Sequence, residues 1–149
     1  MIINIIGPNG SGKSTLVREL MKLDKKCKTL KAIDDASSIE GYSMELKGQS
    51  LAIVGRYTTP CGGCDTIQKK EEVMRRVKLF AKYHDHVVFE GIIVSTSFGT
   101  YQTFLYELQE EKGYPYSFGI LDTTAEQCIR NINKRRQAKD RRNAGKEPR

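Results

Sequence analysis

The chain has 149 residues, 38 % of them hydrophobic and 29 % charged, enough for one packed core and too few for two comfortable domains. No apolar stretch approaches the ~20 residues that span a bilayer, and residues 1–10 lack the basic stretch and small-residue cleavage site of a secretory signal, so membrane and secreted classes are set aside and a cytoplasmic protein is expected. The net charge of +7 is carried whole by the segment from Arg130 onward, where nine basic residues face Asp140 and Glu147, which points to a polyanion met at that end.

In chain order, residues 1–6 are apolar except for Asn4 and stop at Gly7, the pattern of a buried strand. A helix over about 13–23 follows, with Leu16, Leu20 and Leu23 on one stripe and Val17 and Met21 beside it. A weak strand is expected near 29–33. Residues 42–46 and 50–55 flank Lys47, Gly48 and Gln49 and read as a β-hairpin, with Tyr42, Met44 and Leu46 alternating on one face. The stretch GRYTTPCGGCDTI, 55–67, connects into a helix over about 69–83 whose Val73, Val77, Phe80 and Ala81 share a face.

HVVFEGIIVS, 86–95, reads as an interior strand. A third helix covers about 101–111, with Tyr101, Phe104, Leu105 and Leu108 inward, and ends before Gly113. Residues 116–121 form another strand. The last helix spans about 122–139, opened by a capping box from Thr123 to Glu126, with Ala125, Cys128, Ile129 and Ile132 inward. Strands alternating with amphipathic helices predict an α/β, three-layer sandwich with a mainly parallel sheet and a β-hairpin insertion. One domain over 1–149 is expected, with a basic lid or tail over about 134–149.

GPNGSGKS, residues 7–14, matches the phosphate-binding pattern G-x-x-x-x-G-K-[ST] at every fixed position and sits between a strand and a helix. Gly7, Gly10 and Gly12 let the backbone curl until its N–H groups point at a phosphate, and the helix N-terminus adds its positive end. Lys13 neutralises β- and γ-phosphates and Ser14 offers its hydroxyl to Mg2+. Asn9, Ser11 and Thr15 complete the expected nucleotide-binding set. Nucleoside-triphosphate binding follows. A switch GTPase needs a base-reading NKxD-type stretch that is absent here, and a ring-forming motor needs a longer chain. A small kinase needs a phosphate cradle, a carboxylate, a substrate loop and a basic lid, and each has a candidate.

Glu90 closes an apolar run and emerges at the carboxyl edge of the sheet, where ligands bind in open α/β folds. It reads as a Mg2+ ligand or a catalytic base, against a strand-end surface acid. Asp65 follows the hairpin and is placed to take a proton from an attacking hydroxyl, or else to cap a helix. Asp34 and Asp35 are weaker candidates for the same task. Arg56 and Tyr57 suit a substrate phosphate and a stacked base. Arg135, with Arg136, Arg141 and Arg142, belongs to a lid that neutralises the transferring phosphoryl group. His84 and His86 read as loop residues.

Cys61 and Cys64 have C-x-x-C spacing, but Cys27, Cys128, His84 and His86 supply no second close pair for a zinc site, and a redox pair belongs after an amino-terminal strand, a place the phosphate loop already holds. A substrate loop is the third reading: Gly62 and Gly63 admit a close backbone approach, Pro60 stiffens the start, and the cysteines are small walls.

GPNGSGKS together with ILDTTAEQCIRNINKR resembles the P-loop nucleoside and nucleotide kinases. The pattern departs at Asn131, where those kinases usually carry arginine, so the resemblance gives the anchoring of the lid to Arg130 or Arg135; FEG replaces their aspartate-arginine pair. VGRYTTPCGGCDTI followed by VVFEGIIVS is similar to a narrower group, the bacteriophage 5-hydroxymethyluracil DNA kinases. That resemblance implies ATP and Mg2+ as cofactors, and transfer to the hydroxymethyl group of a modified thymine in DNA, with the base flipped or single-stranded. Lys13, Asp65, Glu90 and Arg135 are then catalytic, and Arg56, Tyr57, Gly62, Gly63 and Asp65 again substrate-binding. A kinase for free nucleosides or nucleoside monophosphates, and a nucleic-acid-binding ATPase, remain as alternatives. Such kinases usually finish with another strand and helix, so a compressed lid, a further carboxyl-terminal piece or a partner chain is expected.

Overall fold

A computed structural model describes residues 1–145; positions 146–149, the end of the expected basic lid, lie outside the described residues. Six strands form one sheet: β1 (Ile2–Ile6), β2 (Lys28–Lys31), β3 (Ile39–Leu46), β4 (Gln49–Val54), β5 (His86–Glu90) and β6 (Tyr116–Ile120). Five helices join them: α1 (Lys13–Met21), α2 (Lys70–Tyr83), α3 (Ile92–Thr96), α4 (Phe98–Lys112) and α5 (Ala125–Ala144), with a 3-10 turn at Cys64–Thr66.

The spatial order is β2-β3-β4-β5-β1-β6. β4, β5, β1 and β6 run parallel, while β3 is antiparallel to both β2 and β4. The expected hairpin is β3–β4, turned by Lys47 and Gly48 with φ of 51° and 78°, the two left-handed residues that match the twist of a two-residue hairpin loop.

Strand pleating sends alternate residues to opposite faces. Ile2, Ala52, Val54, Val87 and Phe89 pack with Val73, Val77 and Phe80 of α2 and with Tyr101, Phe104, Leu105 and Leu108 of α4. On the other face Ile5, Leu51, Ile53 and Val88 pack with Val17 of α1. Each such side chain removed from water contributes about 1.5–3 kcal/mol, so these two layers hold the sheet between helices. Gly113, with φ 69°, terminates α4.

Three elements differ from expectation. α1 stops at Met21, and Leu16 and Leu23 are exposed while Val17 is fully buried. Lys13 sets that face: it is buried in the loop, and positions four, seven and eight residues later, Val17, Leu20 and Met21, follow it inward. The run 86–95 is a strand only as far as Glu90, because the Asp65 carboxylate accepts the amides of Ile92 and Ile93 and starts α3.

α5 is capped by Thr124, whose Oγ1 accepts from the Gln127 amide at 3.2 Å, while Thr123 donates to the Ser11 carbonyl at 2.8 Å. Ala125 and Ile129 are exposed and Cys128 alone is fully inward, since α5 lies against loop 7–14 rather than flat on the sheet. Among the described residues no helix is long and apolar enough to cross a membrane.

Candidate active site

β1 delivers the chain into the loop 7–14 at the carboxyl edge of the parallel strands, and α1 leaves it with its amino end facing back. Gly10 has φ 80°, and a Cβ there would stand 2.5 Å from the Cys128 carbonyl oxygen, so only glycine fits between loop and α5. The Gly7 amide donates to Ser95 Oγ at 3.3 Å. Lys13 Nζ donates to the carbonyls of Gly7 and Pro8 at 2.7 and 3.0 Å. Burial pushes the Lys13 ammonium below its ordinary range, while the nearby Glu90 and Asp65 carboxylates pull it back up.

Glu90 ends β5 directly under that loop and is 1 % exposed. Its Oε1 accepts from Ser14 Oγ at 3.0 Å and from the Tyr57 hydroxyl at 2.7 Å. Its Oε2 is buried with no partner, a costly state for a polar atom that a cation would relieve. Burial raises the carboxyl above its usual range, opposed by those two hydrogen bonds and by Lys13. A carboxylate and a hydroxyl, both hard oxygen donors, fit Mg2+, which takes one or two protein oxygens and fills its remaining positions with phosphate and water.

Asp65 stands at the other wall. Its Oδ1 accepts the Ile92 and Ile93 amides at 2.9 and 3.3 Å, and its Oδ2 accepts the Ile92 amide at 3.0 Å. It therefore caps α3, a helix far along the chain, and not α2 just after it. The carboxylate also borders the cleft.

The stretch 55–67 folds back on itself. Arg56 and Gly63 form an antiparallel bridge, with the Gly63 amide donating to the Arg56 carbonyl at 3.0 Å. Gly63 has φ 70°, and a Cβ there would lie 2.5 Å from Glu90 Oε1 and 2.8 Å from the Tyr57 hydroxyl. A Cβ at Gly62 would meet the Tyr57 ring at 2.5 Å. The glycines thus close the loop over the Tyr57–Glu90 pair. Tyr57 is buried, its hydroxyl is held protonated by burial and by the Glu90 charge, and its ring is covered by Arg18 at 5.5 Å, which leaves no face for stacking a base. Arg56 is exposed and is not among the residues lining the cleft.

The two cysteines of the loop diverge. Cys61 is exposed, with Arg135 Nη1 donating to its sulfur at 3.8 Å. Cys64 is buried, and burial with the Glu90 charge pushes its thiol up. Among the described residues no three His, Cys, Asp or Glu side chains gather in a metal-binding group.

α5 closes the remaining side. Asn131 Nδ2 donates to the Gly10 carbonyl at 2.7 Å, and Arg135 Nη2 donates to Asn9 Oδ1 at 2.9 Å. Asn131 itself, with Arg135, anchors the helix. Arg130 instead pairs with Glu126 at 3.7 Å on the surface.

A cleft of about 780 Å3 results, lined among others by Lys13, Ser14, Asp65, Glu90, Cys61 and Arg135. Asn9, Gly10, Ser11, Gly12 and Thr15 border the same space, while Gly7 supports the loop from behind. Asp34 and Asp35 lie in a separate surface depression with Arg75 and Arg76, away from the cleft. Arg18 lines the cleft and was not anticipated. Its guanidinium donates to the carbonyls of Thr59 and Pro60, and the signal for it was its position four residues after Ser14, one helical turn along the same face.

Two curated proteins resemble this chain. One, named 5-hmdU DNA kinase, from Pseudomonas phage PaMx11, is 31% identical over 150 residues, covering 99% of this chain and 75% of its own length. Another of that name, from Bacillus phage SP10, is 30% identical over 139 residues, covering 91% of this chain and 21% of its own length. No family model matches the chain, and no solved structure does.

Proposed function

The chain belongs to the 5-hmdU DNA kinase family and is thus an enzyme that transfers phosphoryl groups; on that premise we propose that it moves the γ-phosphoryl group of ATP to the hydroxymethyl group of 5-hydroxymethyluracil in DNA. The observation that carries this reading is the 3.0 Å bond from Ser14 Oγ to Glu90 Oε1. It joins the hydroxyl of a phosphate-loop pattern to a buried carboxylate from a neighbouring strand end, the pairing that phosphate-loop enzymes use at their metal.

On this reading the fold is that of a P-loop NTPase. The amides of loop 7–14 and the amino end of α1 hold the triphosphate, and Lys13 exchanges its bonds to the Gly7 and Pro8 carbonyls for phosphate oxygens. Ser14 and Glu90 would hold Mg2+, which would supply charge neutralisation at the phosphates.

Asp65, half-exposed on the cleft wall, is the acceptor-side base. Oδ2 accepts a single amide, so it retains a lone pair for the hydroxyl proton. As the hydroxymethyl oxygen bonds to γ-phosphorus, the bond from phosphorus to the bridging oxygen breaks. ADP leaves with that electron pair, and the proton passes to Asp65. Arg135, held at the cleft by Asn9, neutralises charge spreading over the transferring group.

Labelled ATP incubated with DNA containing 5-hydroxymethyluracil should label the DNA, and thymine DNA should stay unlabelled. Lys13→Ala should abolish transfer. Label appearing on free nucleotides and not on DNA would overturn the acceptor. Phosphate release stimulated by DNA without any phosphorylated product would overturn the kinase assignment.

A further inference from the structure

Beside the main cleft lies a second groove of about 560 Å3, between α5 and the segment Pro60–Cys61 with Ile92. The two spaces share Asn9, Pro60, Cys61, Ile92, Arg135 and Ala138 along their common border. Every charged side chain lining this groove is cationic: Arg135, Arg136, Lys139 and Arg142. Among the described residues none of these four has a carboxylate within salt-bridge distance, and Asp140 is absent from the lining.

The spacing is that of one helical face. Arg135, Lys139 and Arg142 stand at i, i+4 and i+7, and α5 rises about 1.5 Å per residue, so their cations extend over about 10 Å. That length accommodates three or four phosphates at the roughly 3.4 Å axial spacing of a nucleic-acid strand. The opposite wall is mainly apolar, with Pro60, Cys61 and Ile92 beside Asn9 in the groove, and Ile93, next to Ile92 in the chain, is exposed at 59 %. A row of unpaired cations facing an apolar wall is the layout of a track for one strand: phosphates to the cations, base faces to the hydrocarbon.

Resting on the kinase reading above, we infer that this groove binds the DNA strand that carries the acceptor. Its phosphates lie along Lys139 and Arg142, and the target nucleotide crosses the shared border at Pro60–Cys61 to reach the cleft. Lys139 and Arg142 are thus strand-binding residues that do not touch the triphosphate, since neither lines the main cleft. Arg135 lines both spaces and couples strand position to phosphoryl transfer.

The test compares wild type with Lys139→Ala/Arg142→Ala, using a fluorescent single-stranded oligodeoxynucleotide titrated across a range of salt concentrations. Affinity for a single strand falls with log salt by about 0.7 per phosphate contact. The double variant should therefore lose about 1.4 from that slope and bind roughly tenfold or more weakly at low salt. Its affinity for ATP should stay within about twofold, and the charge-conserving Lys139→Arg variant should keep most of the wild-type DNA affinity. Circular dichroism checks that α5 is intact.

An unchanged slope and affinity would overturn the inference, as would an equal loss of ATP affinity, which would assign these cations to the triphosphate. The binding titration needs no turnover. If wild type labels hydroxymethyluracil DNA while the double variant binds it normally, the groove assignment fails and the kinase reading stands. If wild type labels no DNA yet the slope falls as expected, the kinase reading fails and the strand site remains.

Discussion

The Tyr57 hydroxyl donates to Glu90 Oε1 at 2.7 Å across 33 residues of sequence, the shorter of the two hydrogen bonds that oxygen accepts. Tyr57 is held protonated by burial, so it is a donor at every working pH. The bond fixes one carboxylate oxygen towards Ser14 and leaves the other without a partner.

Tyr57→Phe removes that donor and keeps the ring. Burial already raises the Glu90 carboxyl and the Tyr57 bond opposes it, so the variant's carboxyl rises further. The acid limb of the kcat/KM profile against pH should therefore move to higher pH. Urea unfolding at neutral pH should show a loss of roughly 1–3 kcal/mol for a buried acceptor deprived of a partner. A loss of stability with an unmoved acid limb would show that Tyr57 only packs.

Glu90→Gln separates charge from shape. A carboxyl raised in the folded protein favours folding below its unfolded value of 4.5, and that contribution disappears as pH rises through the raised value. Glu90→Gln should accordingly melt higher than wild type at pH 8, and the two should converge as pH falls below 4.5. Phosphoryl transfer should drop by on the order of 10²–10³, the usual cost of losing one oriented electrostatic group in a closed site. A variant that melts lower at pH 8 would overturn the desolvation argument.

Asp65 is both helix cap and proposed base, and two substitutions divide those roles. Asp65→Asn keeps an oxygen to accept the Ile92 and Ile93 amides, so its stability should stay close to wild type while kcat falls by about 10²–10⁴. Asp65→Ala should lose activity and also about 0.5–2 kcal/mol of stability. Full activity in Asp65→Asn would leave the side chain as a cap alone.

Gly63→Ala tests the loop closing on Glu90. The added Cβ sits on a backbone with φ 70° and ψ −143°, a region almost reserved for glycine, and meets Glu90 Oε1 at 2.5 Å, a combination expected to cost roughly 2–4 kcal/mol in urea unfolding. Gly48→Ala is the control: its φ is 78° but nothing lies within 4 Å, so only the backbone penalty of about 1–2 kcal/mol applies. Equal losses would mean that the contact with Glu90 carries no weight.

Much of this was legible because the determinants are local. The strand before Gly7, the loop glycines with Lys13, and the faces of α2 and α4 all follow from residues within two turns of each other. The α1 stripe went astray where Lys13, turned into the loop, fixed the helix rotation that leucine spacing alone had suggested differently. The run 86–95 looked like one strand because apolar residues without interruption carry no period. What divides it is Asp65, more than twenty residues away, accepting two amides.

Tyr57 was open to misreading for the same reason. An aromatic beside an arginine suggests a stacking platform on the surface, and only the folding of Gly62 and Gly63 over it shows a buried hydrogen-bond donor. Glycines that seemed to make room for a ligand make room for the protein's own carboxylate.

The attachment of α5 has one more consequence. Asn131 grips the Gly10 carbonyl, Arg135 the Asn9 side chain and Thr123, the residue before the cap of α5, the Ser11 carbonyl, so three successive residues of loop 7–14 are held by one helix and its lead-in. Loop and helix are thereby tied to one another, so on the proposed reading a rearrangement of the loop around a triphosphate would be passed to the far end of α5, where the proposed strand would lie.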